Sequence, residues 1–323
     1  MPVLGGTSTI RLKDIVQSAR AYADLRPVLG ASGFEQEPAL TIANDTIQKM
    51  LAQNFNWKFN RANAPVFYTI ALQQDYVSNV TDLSWVEQCW RIDFNNTASP
   101  KPVFRMEAVR DLQQTSYQAH PFQLSWIPNG LAILGTWQAN TSYPTGVGAA
   151  STPASPIQQF LDANGNILYV TTNGTSGSTE PFAPTGSAGG YTVADGTVVW
   201  TVADPNGYAF RLGTLPPSSG ITWEIHPVYQ MKPPKFTSLQ NAITPIPDDM
   251  AYLFRQGFMA MCYDPGSAQF RDKYSLWQEA LFTALRAADR ERDFAGFSPS
   301  ESIMGGQGQY LPIGPAYPYG WSY

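Results

Sequence analysis

Only two imidazoles, His120 and His226, occur in this chain of 323 residues, so a Ser–His–acid triad would have to recruit one of them. Each is followed by proline, and no Gly-x-Ser-x-Gly elbow is present. The run Gly174-Thr175-Ser176-Gly177-Ser178 has the wrong spacing for one. Both histidines are therefore read as hydrogen-bonded structural residues. Paired carboxylates could serve a glycosidase, but Asp248 and Asp249 are adjacent and follow Pro247 at a predicted helix start. There they stabilise the positive end of the helix. The segment from Asp162 opens like a calcium loop, with side-chain oxygens at Asp162, Asn164 and Asn166. Its twelfth position is Asn173 where a bidentate Glu belongs, and its glycine falls early, so a hairpin turn is the better reading. No phosphate loop or dinucleotide fingerprint occurs, and Gly305, Gly306 and Gly308 have no strand feeding a helix. Cys89 and Cys262 lie in separate apolar segments and read as buried free thiols. No catalytic residue, cofactor or metal is expected.

Elements that carry no chemistry must carry structure or contacts, and the composition agrees. Only 14% of residues are charged, against about 25% in a typical soluble domain. Aromatics reach 13%, and Gly and Pro number 26 each. A chain with so few charges tends to cover its surface against partners. The net charge is −5 with no basic run, which disfavours a groove that grips nucleic acid through phosphates. It suits a lumen past which DNA slides. No stretch approaches the roughly 20 apolar residues of a membrane span, and no secretory signal pattern is seen in Met1–Ile10. Triplets such as Asn173-Gly174-Thr175 are read as chance matches to a glycosylation signal.

Helical spacing of Leu12, Ile15, Val16, Ala19, Tyr22 and Ala23 predicts a helix over 10–29, with Pro27 and Gly30 as its stop. Leu40, Ala43, Ile47, Met50, Leu51 and Phe55 predict a second over 38–56. Strand patterning follows in 65–134 and resumes in 208–230, where Ile221, Trp223, Ile225 and Pro227 share a face. Two more helices are predicted, 248–263 and 268–294. The last carries Phe270, Tyr274, Trp277, Leu281, Leu285 and Ala288 on one stripe. Its end, Asp289-Arg290-Glu291-Arg292-Asp293, is either a solvated face or a subunit contact.

Between Gly135 and Gly207 the composition changes: Lys and Arg vanish, and Gly, Thr, Ser and Ala dominate. Turns are predicted at Asp162–Asn166 and at Asp195-Gly196. This stretch, 135–207, reads as a small β module inserted in a loop of a host domain, 1–134 plus 208–294. Its aromatics Trp137, Tyr143 and Phe182 could form a platform for sugar rings, whereas Tyr169 and Trp200 lie in strands and read as core. The tail, 295–323, is rich in Gly and Pro, lacks a basic residue and holds five aromatics after residue 309. It reads as an extended arm that either docks on a partner through Tyr310, Tyr317, Tyr319 and Trp321 or wraps back on its own domain.

Certain short motifs add a resemblance. They are, in order, Phe55-Asn56-Trp57-Lys58-Phe59-Asn60-Arg61, Tyr68, Gln73-Gln74-Asp75-Tyr76, Val228-Tyr229-Gln230-Met231-Lys232-Pro233-Pro234 and Ile246-Pro247-Asp248-Asp249. Over roughly 1–134 and 208–294 the chain resembles the head-to-tail adaptor proteins of tailed bacteriophages, also called connectors or tail tubular proteins. The resemblance implies a ring homo-oligomer, typically a dodecamer, seated at the head-tail junction of the virion after assembly in the host cytoplasm. It implies as partners the portal protein and the tail nozzle or tube protein, with DNA passing through unbound; the insert reads as a sugar-binding module, a virion decoration or a support for a tail fibre. Trp57, Asn60 and Tyr229 would be packing and assembly positions. The insert is similar to a carbohydrate-binding-module-type domain, which keeps open a glycan-binding surface protein or adhesin as the alternative. The expected fold is α+β: a helical bundle from the N- and C-terminal helices joined to a β-sandwich or barrel, an inserted all-β domain and the arm.

Overall fold

The computed structural model describes residues 8–22, 24–25, 29, 36–52, 55–93, 96–102, 104–105, 115, 117–119, 121, 123–144, 157–217 and 222–294. The fold is α+β, with four α-helices among the described residues: α1 (Leu12–Arg20), α2 (Ala39–Met50), α3 (Ala251–Met261) and α4 (Ala268–Phe294). The chain divides into two compact units, one on Arg61–Lys232 and one on Leu4–Asn60 with Pro233–Tyr323.

The helical unit joins the two ends of the chain. Leu12, Ile15, Val16 and Ala19 of α1 are buried, as are Leu40, Ala43, Ile47 and Met50 of α2. They share one core with Phe254 and Phe258 of α3 and with Trp277 and Leu281 of α4. Full burial of each such large side chain contributes about 1.5–3 kcal/mol. Lys13 and Leu12 donate their N–H groups to the carbonyls of Leu239 and Asn241, at 2.9 and 3.0 Å. Two helix-terminal donors that would otherwise face water thus find partners in a distant loop. Asn44 on α2 imitates a strand partner: its Oδ1 accepts the Phe236 N–H at 2.7 Å and its Nδ2 donates to the Phe236 carbonyl at 3.1 Å.

Two helices are shorter than their periodicity predicts. The first ends at Arg20 instead of 29, leaving Tyr22 exposed. Proline at 27 would collide with the carbonyl four residues earlier, so a helix cannot run through it, and the stop comes a turn sooner than the hydrophobic pattern. The second ends at Met50 instead of 56. There the indole N–H of Trp57 donates to the Met50 carbonyl at 2.7 Å, so the chain turns back to satisfy a terminal acceptor.

The second unit holds the strands β1 (Arg61–Asn63), β2 (Phe67–Tyr68), β3 (Asp75–Tyr76), β4 (Leu83–Asp93), β5 (Asn96–Pro102), β6 (Phe104–Arg105), β7 (Gln123–Pro128), β8 (Ser142–Tyr143), β9 (Gln159–Leu161), β10 (Ile167–Thr172), β11 (Gly174–Thr175), β12 (Thr192–Asp195), β13 (Val198–Val202), β14 (Tyr208–Leu212) and β15 (Trp223–Met231). One sheet has the order β1-β15-β4-β5, with β2 also on β15, and a second has the order β3-β14-β7-β6. Trp223, Ile225, Pro227 and Tyr229 alternate inward along β15, as the period of two requires. Leu83 and Val86 from one sheet share a core with Leu124, Phe210 and Leu212 from the other. Among the described residues no sheet closes into a barrel.

Residues 135–207 contribute a separate four-stranded sheet, β12-β13-β10-β9, and a two-stranded ribbon, β11-β8. Both predicted turns are present. Asp195 pairs with Val198 across a two-residue turn whose Gly196 has φ +61°, a conformation glycine adopts without strain. Trp200, Phe160, Leu168 and Val198 fill a small core.

Candidate functional site

His226 lies within β15, its Nε2 3.0 Å from Oε1 of Glu224 and not aligned for a hydrogen bond. His120 lies outside the described residues. Cys89 and Cys262 are free and buried, and burial pushes both thiols up, that of Cys262 to about 12. A thiol held neutral in this way is a poor nucleophile. Asp248 accepts hydrogen bonds from Ser8 Oγ at 2.8 Å, Thr9 N at 3.0 Å and Thr9 Oγ1 at 2.6 Å. The Thr9 and Ser8 hydroxyls hold its carboxyl below the usual range. Asp162 accepts the N–H groups of Asn164, Asn166 and Ala183 and the amide of Asn166. Its lone pairs are spent on the turn. No cluster of three metal-ligating side chains occurs among the described residues.

The aromatics proposed as a sugar platform do not act together. Tyr143 is 0% exposed, its ring edge-on to Trp200 with centroids 4.8 Å apart and its hydroxyl accepting the Gln138 N–H at 2.8 Å. It is core, so its place on an exposed platform is withdrawn: a strand residue facing inward fills the small module. Trp137 is half-buried, with its indole N–H committed to Asp195. Phe182 alone of the three stands out, 61% exposed. Leu161, also exposed, adjoins the same turn, because Asp162 accepts the N–H of Ala183 at 2.8 Å.

The assembly positions are frame residues. Trp57 is buried and stacks between Phe55 and Phe59, with centroids 5.9 and 5.3 Å away. Asn60 is fully buried at the end of the 3-10 turn Lys58–Asn60, its N–H donating to the Trp57 carbonyl at 3.1 Å. Tyr229 donates its hydroxyl to Asp82 Oδ1 at 2.8 Å, and burial followed by that carboxylate raises its phenol. Trp57 and Asn60 belong to the helical unit and Tyr229 to the β unit. The arm residues Tyr310, Tyr317, Tyr319 and Trp321 lie outside the described residues.

What sequence reasoning missed is a polar collar where residues 135–207 leave and rejoin the host sheets. Asp75 on β3 holds Arg211 on β14 in a two-pronged pair, Nε to Oδ1 and Nη2 to Oδ2, both 2.7 Å. The Asp75 Oδ2 also accepts the Ile133 N–H at 2.7 Å. Gln73 Oε1 accepts the Gln158 N–H at 2.8 Å, and Gln159 Oε1 accepts the Val77 N–H at 3.1 Å. At the far side, Asn79 Oδ1 accepts the Asp204 N–H at 2.7 Å, and Asn129 Nδ2 donates to the carbonyls of Ser78 and Asp204. Gln73, Asp75, Ser78, Asn129, Gln158, Gln159 and Arg211 are buried, Asp204 is half-buried and Asn79 exposed, and buried polar atoms without partners cost about 1–3 kcal/mol each. The collar therefore ties the module to its host strands through side-chain hydrogen bonds. Its signal in the sequence was Gln73-Gln74-Asp75 and Ser78-Asn79, polar residues on either side of Tyr76-Val77.

On the helical unit, Tyr22, Tyr252, Leu276 and Phe282 are exposed large apolar side chains. Tyr252 on α3 and Leu276, Glu279, Ala280, Thr283 and Ala284 on α4 line an open groove of about 400 Å³. Phe282 projects from another flank of α4. No family model matches the chain, and no curated protein matches it.

Proposed function

We propose that this chain is a structural virion protein, the head-to-tail adaptor of a tailed bacteriophage, acting as a ring between the capsid portal and the tail nozzle and letting DNA pass. The observation that carries this reading is the role of the residues shared with the adaptor pattern. Trp57, Asn60, Gln73, Gln74, Asp75, Tyr76 and Tyr229 are all buried, and their polar atoms serve the frame. A ring that bears load between two machines needs such a frame more than it needs a pocket.

On this reading the helical unit is a bundle that seats on the portal, and the two sheets with their common core form a sandwich that meets the nozzle. The collared insert would project outward, since a domain in the lumen would obstruct DNA. The arm, 295–323, docks on the portal. Ordering its backbone costs about 1–2 kcal/mol per residue. Burial of Tyr310, Tyr317, Tyr319 and Trp321, about 150–250 Å² each, offsets much of that on the correct partner. Repetition around a ring then makes attachment effectively permanent.

Electron microscopy of the purified protein mixed with portal-bearing heads tests the reading. A ring seated on the portal is expected for the full chain, and none for a folded chain lacking 309–323. A full-length protein that stays monomeric and ignores the heads overturns the adaptor reading. The glycan-binding alternative rests on Phe182, exposed beside the Asp162 turn. It is favoured if the full chain is retained on a polysaccharide column and Phe182→Ala is not.

A further inference from the structure

Helix α4 buries one stripe, which includes Trp277 and Leu281, and a solvated helix would fill the remaining arc with charge and polarity. Instead Leu276 is 60% exposed and Phe282 is 45% exposed. At about 100° per residue, Leu276 sits roughly 100° to one side of Trp277 and Phe282 roughly 140° to the other. The two apolar positions thus face different neighbours. On the Leu276 side lies the open groove, lined by Tyr252 of α3 and by Leu276, Glu279, Ala280, Thr283 and Ala284 of α4. On the other side, the Phe282 ring is backed by Phe55, centroids 5.2 Å apart, which limits the freedom it would lose on docking.

We propose that neighbouring copies of this chain join by seating Phe282 of one α4 in the groove between α3 and α4 of the next. This rests on the ring reading above and assigns the surfaces that make it. Knob and groove lie on different flanks of one helix, roughly 120° apart, so copies can join head-to-tail, which closes into rings when the rotation allows. A patch that matched itself would stop at a dimer. Charge supports the same occupant. Glu279 lines the groove, and Arg286 lies one turn beyond Phe282. Both are exposed, and neither joins any of the three ion pairs among the described residues. Seating Phe282 brings a positive group toward a negative rim.

The test uses the full chain, with rings scored by electron microscopy and sedimentation at a concentration where the natural protein forms them. Thr283→Trp fills the groove and Phe282→Ser removes the knob, both at exposed positions, and circular dichroism checks that each variant remains folded. Each alone is expected to raise the concentration for half-assembly at least about tenfold, as for a central aromatic anchor. An equimolar mixture of the two keeps one sound joint per pair and is expected to yield dimers on crosslinking, but no rings. Glu279→Arg and Arg286→Glu are each expected to weaken assembly about 2- to 5-fold, and the double exchange to restore it. Folded variants that form rings as readily as the natural chain overturn this joint while leaving the ring reading intact. A natural chain that forms no ring, alone or on heads, removes both.

Discussion

The indole N–H of Trp137 donates to Oδ2 of Asp195 at 2.9 Å, across 58 positions of chain. Trp200 donates to the same oxygen at 3.0 Å, and the Gly177 N–H takes Oδ1 at 2.6 Å. One carboxylate therefore ties the start of the inserted module to its central strand and to the β11 ribbon. Asp195→Ala strands two indole donors and is expected to destabilise the β unit by about 2–4 kcal/mol, at a cost of about 1–3 kcal/mol for each buried group left unpaired. Urea unfolding followed by tryptophan fluorescence measures it, and a loss under about 0.5 kcal/mol would show that water replaces the carboxylate.

The Asp75–Arg211 pair is buried on both sides, with side chains 0% and 4% exposed. Arg211→Met alone leaves an uncompensated charge and is expected to cost about 3–5 kcal/mol. Asp75→Leu combined with Arg211→Met is expected to cost less than that single change, although the Ile133 N–H then loses its acceptor. Chemical denaturation of the three variants decides it, and an additive double variant would mean that the two groups do not act as a pair.

Gly257 on α3 faces the Trp277 ring so closely that a Cβ there would fall inside the ring's van der Waals envelope. Alanine normally favours a helix over glycine by about 1 kcal/mol. Here the overpacking term, about 1–3 kcal/mol, is expected to win, and Gly257→Ala should lower the melting temperature. A higher melting temperature would mean that α4 shifts freely.

The Thr9 and Ser8 hydrogen bonds lower the carboxyl of Asp248 from its ordinary 3.8. A depressed folded value stabilises the fold above the ordinary value, and that contribution is lost as pH falls through the folded one. Asp248→Asn is therefore expected to lower the urea midpoint at about pH 6, with the gap to the natural chain closing toward about pH 2. A gap that stays constant would place the effect outside ionisation.

With a thiol raised to about 12, Cys262 is about 10⁻⁴ ionised at pH 8. A thiol-specific disulfide reagent is expected to leave both cysteines unlabelled in the folded protein and to label both in concentrated guanidinium. Prompt labelling of folded protein at either position would contradict the burial.

Periodicity revealed the helical stripes because burial of one face forces a 3.6-residue repeat, as in Leu12, Ile15, Val16 and Ala19. It overran the true ends, since a hydrophobic pattern does not register where the last carbonyls find donors; Trp57 at the Met50 carbonyl is such a case. The same blindness put Tyr143 on the surface of the insert. A strand residue's type does not say which side it faces when its strand is only two residues long.

From the sequence alone came the α+β class, the four helical stripes, the compositional break at 135–207 and its glycine turns. All of these follow from local rules: side-chain period, backbone freedom and charge density. Tertiary structure alone decided that Gln73, Asn79 and Asn129 would clamp the insert, that Asp195 would gather two indoles, and that Phe282 and the Tyr252 groove would lie on different flanks of α4. Each is a pairing between residues far apart in the chain. A polar residue's type records that it needs a partner, but only the folded chain brings that partner within about 3 Å.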